Sequence, residues 1–229
     1  MRLLLWDIDG TLIDSGGTGL DAFNQAFERI VGRPPAEWVP FAGRTDLEIA
    51  ADLAHVNGVD DGGEFVERFA GELHDALVAR SDVLRERGRA LPGAGEALER
   101  LSREPGVIQS LLTGNVERNA PVKLSPFGLD RFVEFDVGAY GSDHHRRAEL
   151  PAIARAKAER KHGVEIPREH VVLIGDTPLD VAAARAAGAR AVGVATGPYD
   201  EEALAQSGAD AVLPSLADLD AVLEALLKP

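Results

Sequence analysis

Leu3-Leu4-Leu5-Trp6 opens the chain as an unbroken apolar run. It is too short for a helix and too apolar for a half-exposed edge, so it predicts a fully buried strand. From Ser15 to roughly Gly88 no strand-like run recurs. Leu20, Phe23, Phe27 and Ile30 repeat instead at helical spacing, as do Leu47, Ala50, Leu53 and Ala54, and then Phe65, Phe69, Leu73 and Leu77. This predicts three to four amphipathic helices in a small bundle, broken at Pro34-Pro35, Asn57-Gly58 and Asp61-Gly62-Gly63.

After Pro92 the pattern alternates between short apolar runs and helical periods. Helices are predicted at about 94–103, 116–126, 148–162, 178–187, 200–206 and 216–227. Strands are predicted at 107–112, near 132–137, at 171–174, at 190–194, and at a sheet edge over 211–213. Such alternation implies a parallel sheet covered on both faces, with right-handed crossovers. The domain division that follows is a discontinuous α/β core, 1–14 and 89–229, interrupted by a helical insertion over 15–88. Ser15-Gly16-Gly17 and Arg89-Ala90-Leu91-Pro92-Gly93 form the two crossings, and their glycines suit a hinge.

Composition narrows the class. A chain of 229 residues buries a good core. Its net charge of −14 argues against nucleic-acid or anionic-membrane partners, which need a basic surface. No apolar run approaches the ~18 residues of a membrane span. Residues 1–6 run directly into acidic residues with no cleavage signal, so the expected compartment is the cytoplasm. Cysteine is absent, which removes thiolate catalysis, disulfides and Cys-zinc sites. Lysine occurs only at 123, 157, 161 and 228, so any role that needs an amine falls to one of these. Surface charge and short loops suit a monomer or weak homodimer.

Three predicted strands end in candidate chemistry. The first runs into Asp7-Ile8-Asp9-Gly10-Thr11-Leu12, the second into Thr113-Gly114-Asn115, the third into Gly175-Asp176-Thr177-Pro178-Leu179-Asp180. Ligands bind at the carboxyl ends of strands in open α/β sheets. Asp7 and Asp9 flank one residue, so both lean to one side, and Gly10 permits a sharp turn. The plain alternatives are a polar turn at Asp9-Gly10 and helix capping by Asp176 or Asp180. Asp176 and Asp180 stand one helical turn apart and share a face.

With these motifs the chain resembles the haloacid dehalogenase-like hydrolase superfamily. Its signatures are DxDGT(L/V), a Ser/Thr after the second core strand, a Lys, and GDxxxD. The first and last are matched in full by Asp7–Leu12 and Gly175–Asp180. The resemblance covers the whole chain and is greatest for the phosphoglycolate phosphatase-like branch with a helical cap. It implies a Rossmann-like three-layer α/β/α core with strand 1 central, and it makes the insertion a mobile cap. It also brings Asp7, Asp9, Thr113, Asp176 and Asp180 to one rim. Acids so gathered repel one another, and a hard divalent cation with all-oxygen ligation, Mg²⁺, resolves this.

The resemblance further implies a phosphatase acting on small phosphate monoesters through an aspartyl-phosphate. Asp7 is the nucleophile and Asp9 the acid and then the base. Asp7, the backbone carbonyl of Asp9, and Asp176 hold Mg²⁺, with Asp180 set behind them. Thr113 and the N–H groups of Gly114 and Asn115 bind phosphate. Thr11 reads as a local turn residue. The family lysine is missing from Gly141–Pro151, so Lys123, ten residues beyond Thr113, is the expected cation and Arg147 its alternative.

Other features read more weakly. Gly43-Arg44-Thr45-Asp46 resembles the family's specificity loop, where Arg44 either anchors a substrate anion or, with Asp46 in a first helical turn, belongs to a capping turn. Gly17–Ala22 fits GxGxxA but follows no adjacent strand, so it reads as hinge and helix start. His144-His145 reads as a solvated loop pair rather than a metal site. Among other activities, a phosphosugar mutase shares all four motifs. A dehalogenase is argued against by Asp9, and a Schiff-base phosphonate enzyme by the absence of lysine from 15–89. A catalytically idle binding protein is argued against by the intact motifs.

Overall fold

The computed structural model describes residues 1–59 and 63–228; the expected break at Asp61-Gly62 lies outside them. The elements in order are β1 (Arg2–Trp6), β2 (Ile13–Asp14), α1 (Thr18–Val31), α2 (Asp46–Val56), α3 (Glu64–Val78), α4 (Ser81–Arg87), β3 (Arg89–Ala90), α5 (Ala94–Leu101), β4 (Val107–Thr113), α6 (Asn119–Leu124), β5 (Ala139–Tyr140), α7 (Leu150–His162), β6 (Val171–Gly175), α8 (Pro178–Ala187), β7 (Arg190–Val194), α9 (Glu201–Gln206), β8 (Ala211–Leu213) and α10 (Leu219–Leu227). Among the described residues no helix is long and apolar enough to cross a membrane.

Six strands form one parallel sheet in the order β5-β4-β1-β6-β7-β8. β1 is central because its side chains are apolar on both faces. Leu4 and Trp6 join the cluster under α5 and α10, while Leu3 and Leu5 join the one under α7 and α8. Each such side chain contributes about 1.5–3 kcal/mol on burial. Trp6 can be wholly buried because its Nε1 donates to Gln109 Oε1 at 3.2 Å. Register sets Trp6 beside Leu111 of β4 and Ile174 of β6, so all three strands end at one rim. This is the expected Rossmann-like α/β core.

The strand expected near 132–137 is absent. That segment makes tight 3-10 turns at Asp130–Phe132 and Phe135–Val137, and strand pairing begins only at Ala139. The segment's backbone meets that of β4 at one point, where Glu134 N donates to Gln109 O at 2.8 Å and Ser110 Oγ donates to Glu134 O at 2.5 Å; its acids turn outward to α7, with Lys161 pairing Glu134 at 2.6 Å and Asp136 at 2.7 Å.

Helices α1 to α4 pack around a separate apolar cluster. Phe23, Phe27, Phe65 and Phe69 interlock there in edge-on and tilted pairs. α2 buries Ile49, Ala50, Leu53 and Ala54; Ile49 takes the place expected for Leu47, which is only half-buried. Ile13 and Asp14, just before the first crossing, pair antiparallel with Ala90 and Arg89 of the second, a ladder too short to read from periodicity. Gly16 there has φ 58°, and a side chain on it would overlap the Arg87 backbone.

Candidate active site

Asp7 follows β1 directly, and its N–H donates to Ile174 O at 2.8 Å, which holds it against the end of β6. Its carboxylate, that of Asp176 and that of Asp180 offer oxygens all within 4.8 Å of one another, and all three residues are buried. Gly10 (φ 81°) turns the chain beneath them, and a Cβ on Gly10 or Gly197 would overlap the Asp176 carboxylate. Thr11, expected to act only locally, donates its hydroxyl to Asp176 Oδ1 at 3.0 Å.

Asp180 is both a cap and a member of the cluster. Its Oδ2 accepts from Thr177 N at 3.1 Å and Thr177 Oγ1 at 2.7 Å, completing the capping box of α8. Its Oδ1 accepts from Arg147 Nη2 at 2.5 Å, and the same nitrogen stands 3.2 Å from Asp7 Oδ1. Burial pushes Asp7 up to about 6; Arg147 opposes this, while Asp180 and Asp9 add to it. Burial pushes Asp176 up to about 8, helped by repulsion from Asp7 and Asp180. Burial alone would lower the Arg147 pKa, but Asp180 and Asp7 outweigh it and raise the value. Three buried acids stand beside one arginine, which reaches only Asp7 and Asp180, so the cluster is short of positive charge. Their all-oxygen donor set fits a hard divalent cation such as Mg²⁺.

Asp9 faces elsewhere. Its Oδ2 accepts from Lys123 Nζ at 2.6 Å and Asn115 Nδ2 at 2.8 Å, so its carboxylate is outside the acidic cluster. Asn115 Nδ2 also donates to Thr113 Oγ1 at 2.8 Å, at the end of β4. Lys123 is buried on α6 and reaches back to the strand ends. Sequence reasoning offered Lys123 and Arg147 as alternatives; the structure brings both to the site, on different carboxylates.

These groups form one wall of a cavity of about 350 Å³ whose other wall belongs to α1, α2 and the loop between them. The loop docks tightly. Asp46 N donates to Gly114 O at 2.8 Å, Thr45 Oγ1 donates to His145 O at 2.9 Å, and a side chain on Gly114 would overlap Arg44 O. Arg44 departs from the expected anion anchor. Its Nε and Nη2 donate to Glu48 at 3.1 and 3.0 Å, Nη2 also to Asp52 at 2.5 Å, and Nη1 to Pro40 O at 3.1 Å. The guanidinium is thus committed within the insertion. Thr45 caps α2 by accepting from Glu48 N, which leaves capping no need of Asp46. Asp46 instead lies buried on the cavity wall, a place that an acid in a first helical turn does not announce. The available signal was its phase: 46, 49, 50 and 53 are one helix face, and the other three are apolar. His144 and His145 stack on each other at 4.7 Å and join no metal-ligand cluster among the described residues. Gly17 precedes α1 as its N-cap, the expected helix start.

The chain matches the haloacid dehalogenase-like hydrolase family over residues 1–188. It belongs to that family and is an enzyme, a hydrolase with phosphatases among its relatives. It is 30% identical to phosphoglycolate phosphatase 1 of Pseudomonas aeruginosa, over 95% of this chain and 78% of that protein. It is 25% identical to pyrophosphatase PpaX of Listeria monocytogenes, over 96% of this chain and 95% of the relative. Among solved structures, a hydrolase from Pseudomonas syringae superposes with a TM-score of 0.71 at 25% identity, covering 98% of each chain.

Proposed function

We propose that the protein is a Mg²⁺-dependent phosphatase that hydrolyses small phosphate monoesters through a phosphoryl group carried on Asp7. The observation that carries this reading is the separation of the two motif acids. Asp7 belongs to the buried acidic cluster, while Asp9 is turned to Lys123 and Asn115 at the cavity. Asp7 is held by Arg147 for attack on phosphorus. Asp9 protonates the leaving alcohol oxygen and then takes a proton from the water that releases phosphate. Thr113 and the N–H groups of Gly114 and Asn115 hold the phosphate oxygens, with Lys123 adding charge.

Asp7, Asp176 and the Asp9 backbone carbonyl would hold Mg²⁺, which supplies the charge needed to bring a phosphate dianion against a carboxylate. Asp180 positions Arg147 and the start of α8. A phosphosugar mutase would use the same residues but must also hold a second phosphate. Each of the three cations lining the cavity already has a carboxylate partner, which favours water as acceptor.

The test is inorganic phosphate release from a panel of monoesters. Release with Mg²⁺ and its loss in EDTA are expected. Sugar-phosphate isomer formed from glucose 1-phosphate faster than phosphate would overturn the phosphatase reading.

A further inference from the structure

The insertion's side of the cavity is chemically unlike the core side. Leu20, Phe23, Phe41 and Ile49 give it an apolar surface. Leu20 is 50% exposed although it is a large hydrophobe, and it borders this cavity. Among them stands one acid, Asp46, only 8% exposed. Its Oδ2 accepts from Val116 N at 2.9 Å. Its other oxygen has no hydrogen-bond partner among the described residues, yet it is not sealed from the cavity. Burial pushes the Asp46 carboxyl up to about 6, with Lys123 opposing.

An acceptor that has no protein partner and opens onto the cavity is free to take a donor from a bound ligand. No cation on the cavity wall is free to supply one: Lys123 is paired with Asp9, Arg147 with Asp7 and Asp180, Arg44 with Glu48 and Asp52. A second anionic group on the substrate would therefore find no counterion and would meet Asp46.

Resting on the phosphatase reading above, we propose that Asp46 and the apolar wall around it select the leaving alcohol. The preferred substrates are monoesters whose alcohol carries a hydroxyl or ammonium donor. Esters whose alcohol carries a carboxylate or a second phosphate are rejected. 2-Phosphoglycolate falls on the rejected side. Asp46 reaches the cavity through the backbone bond to Gly114 and the Val116 contact, so the selecting group is presented only with the insertion docked on the core.

The experiment uses a matched pair. Glycerol 3-phosphate and 3-phosphoglycerate differ by one terminal group, CH₂OH against carboxylate. With Mg²⁺ present, kcat/KM should favour glycerol 3-phosphate by at least about tenfold, the scale of a single charged interaction. Asp46→Asn should bring that ratio down toward unity. Should Asp46→Asn fold poorly in a thermal melt, Leu20→Arg at the more exposed end of the same wall is the second variant; it should shift the ratio toward 3-phosphoglycerate. Wild-type preference for 3-phosphoglycerate, or a ratio unmoved by both variants, would overturn the inference. p-Nitrophenyl phosphate separates the two levels: its hydrolysis by an enzyme that lacks the expected preference sinks only the selection by Asp46. No hydrolysis of it with Mg²⁺ sinks the phosphatase reading and this inference with it.

Discussion

Lys123 donates its Nζ to Oδ2 of Asp9 at 2.6 Å, joining residues 114 positions apart. Arg147, by contrast, bridges Asp7 and Asp180. The two cations therefore have separable consequences. Lys123→Met removes the partner of the half-exposed Asp9 and should lower kcat by about 10²-fold or more, the scale of losing acid–base function, while the melting temperature holds. Arg147→Met strands two buried carboxylates, at a cost of about 3–5 kcal/mol. Its melting temperature at pH 8 should fall by more than about 6 °C. Equal thermal losses in both variants would contradict this division.

The acidic cluster gives stability a pH dependence of known sign. Asp7 and Asp176 are raised from 3.8 to about 6 and about 8, so the folded state holds their protons more tightly than the unfolded chain does. The stability this contributes is present near pH 4 and is lost as pH rises through those values. In EDTA, Asp176→Asn should melt close to wild type at pH 5 and above it at pH 8. Mg²⁺ should reverse the order at pH 8, since only wild type keeps the ligand. At a hundredfold excess over Kd the ion is worth about 2.7 kcal/mol. A Mg²⁺-induced thermal shift in Asp176→Asn equal to that of wild type would place the metal elsewhere.

Gly197 tests the cluster from outside it. A Cβ there would overlap Asp176 Oδ2, so Gly197→Ala must displace that carboxylate. Overpacking of this kind costs about 1–3 kcal/mol. The expected result is a lowered melting temperature together with a weakened Mg²⁺ shift. A folded variant that titrates with Mg²⁺ by calorimetry as wild type does would show that Asp176 is not a ligand.

Much of this was legible because the informative residues end strands whose apolar runs are unmistakable. β1, β4 and β6 each stop at a motif, and parallel register then aligns the three ends. What escaped depended on long-range contacts. Lys123 and Arg147 arrive from different elements at different carboxylates, so spacing alone set them up as rivals. Arg44 has an acid one turn away at Glu48 and another at Asp52, and their joint capture of its guanidinium is a tertiary fact. Phe132, Phe135 and Val137 mimic a strand, but the acids between them answer to α7. Asp46 was readable from its place on an apolar helix face, although a first-turn acid is common enough to hide it.

Asp9 has a role that depends on the leaving group. p-Nitrophenolate departs without a proton, so Asp9→Asn should still release it once per site from p-nitrophenyl phosphate and then stall at hydrolysis. A stopped-flow trace should show a burst close to the enzyme concentration and a slow steady state. A linear trace without a burst would remove Asp9 from the water-activating step.

The central claim is that phosphorus is carried on Asp7. Acid-quenching Asp9→Asn during turnover of p-nitrophenyl phosphate with Mg²⁺, followed by peptide mapping by mass spectrometry, tests it most directly. A phosphoryl group on the peptide carrying Asp7 is predicted. It should be absent from Asp7→Asn, whose turnover should fall by at least about 10³-fold with its fold intact. A phosphoryl group on another residue, or an Asp7→Asn enzyme that keeps most of its activity, would contradict the account.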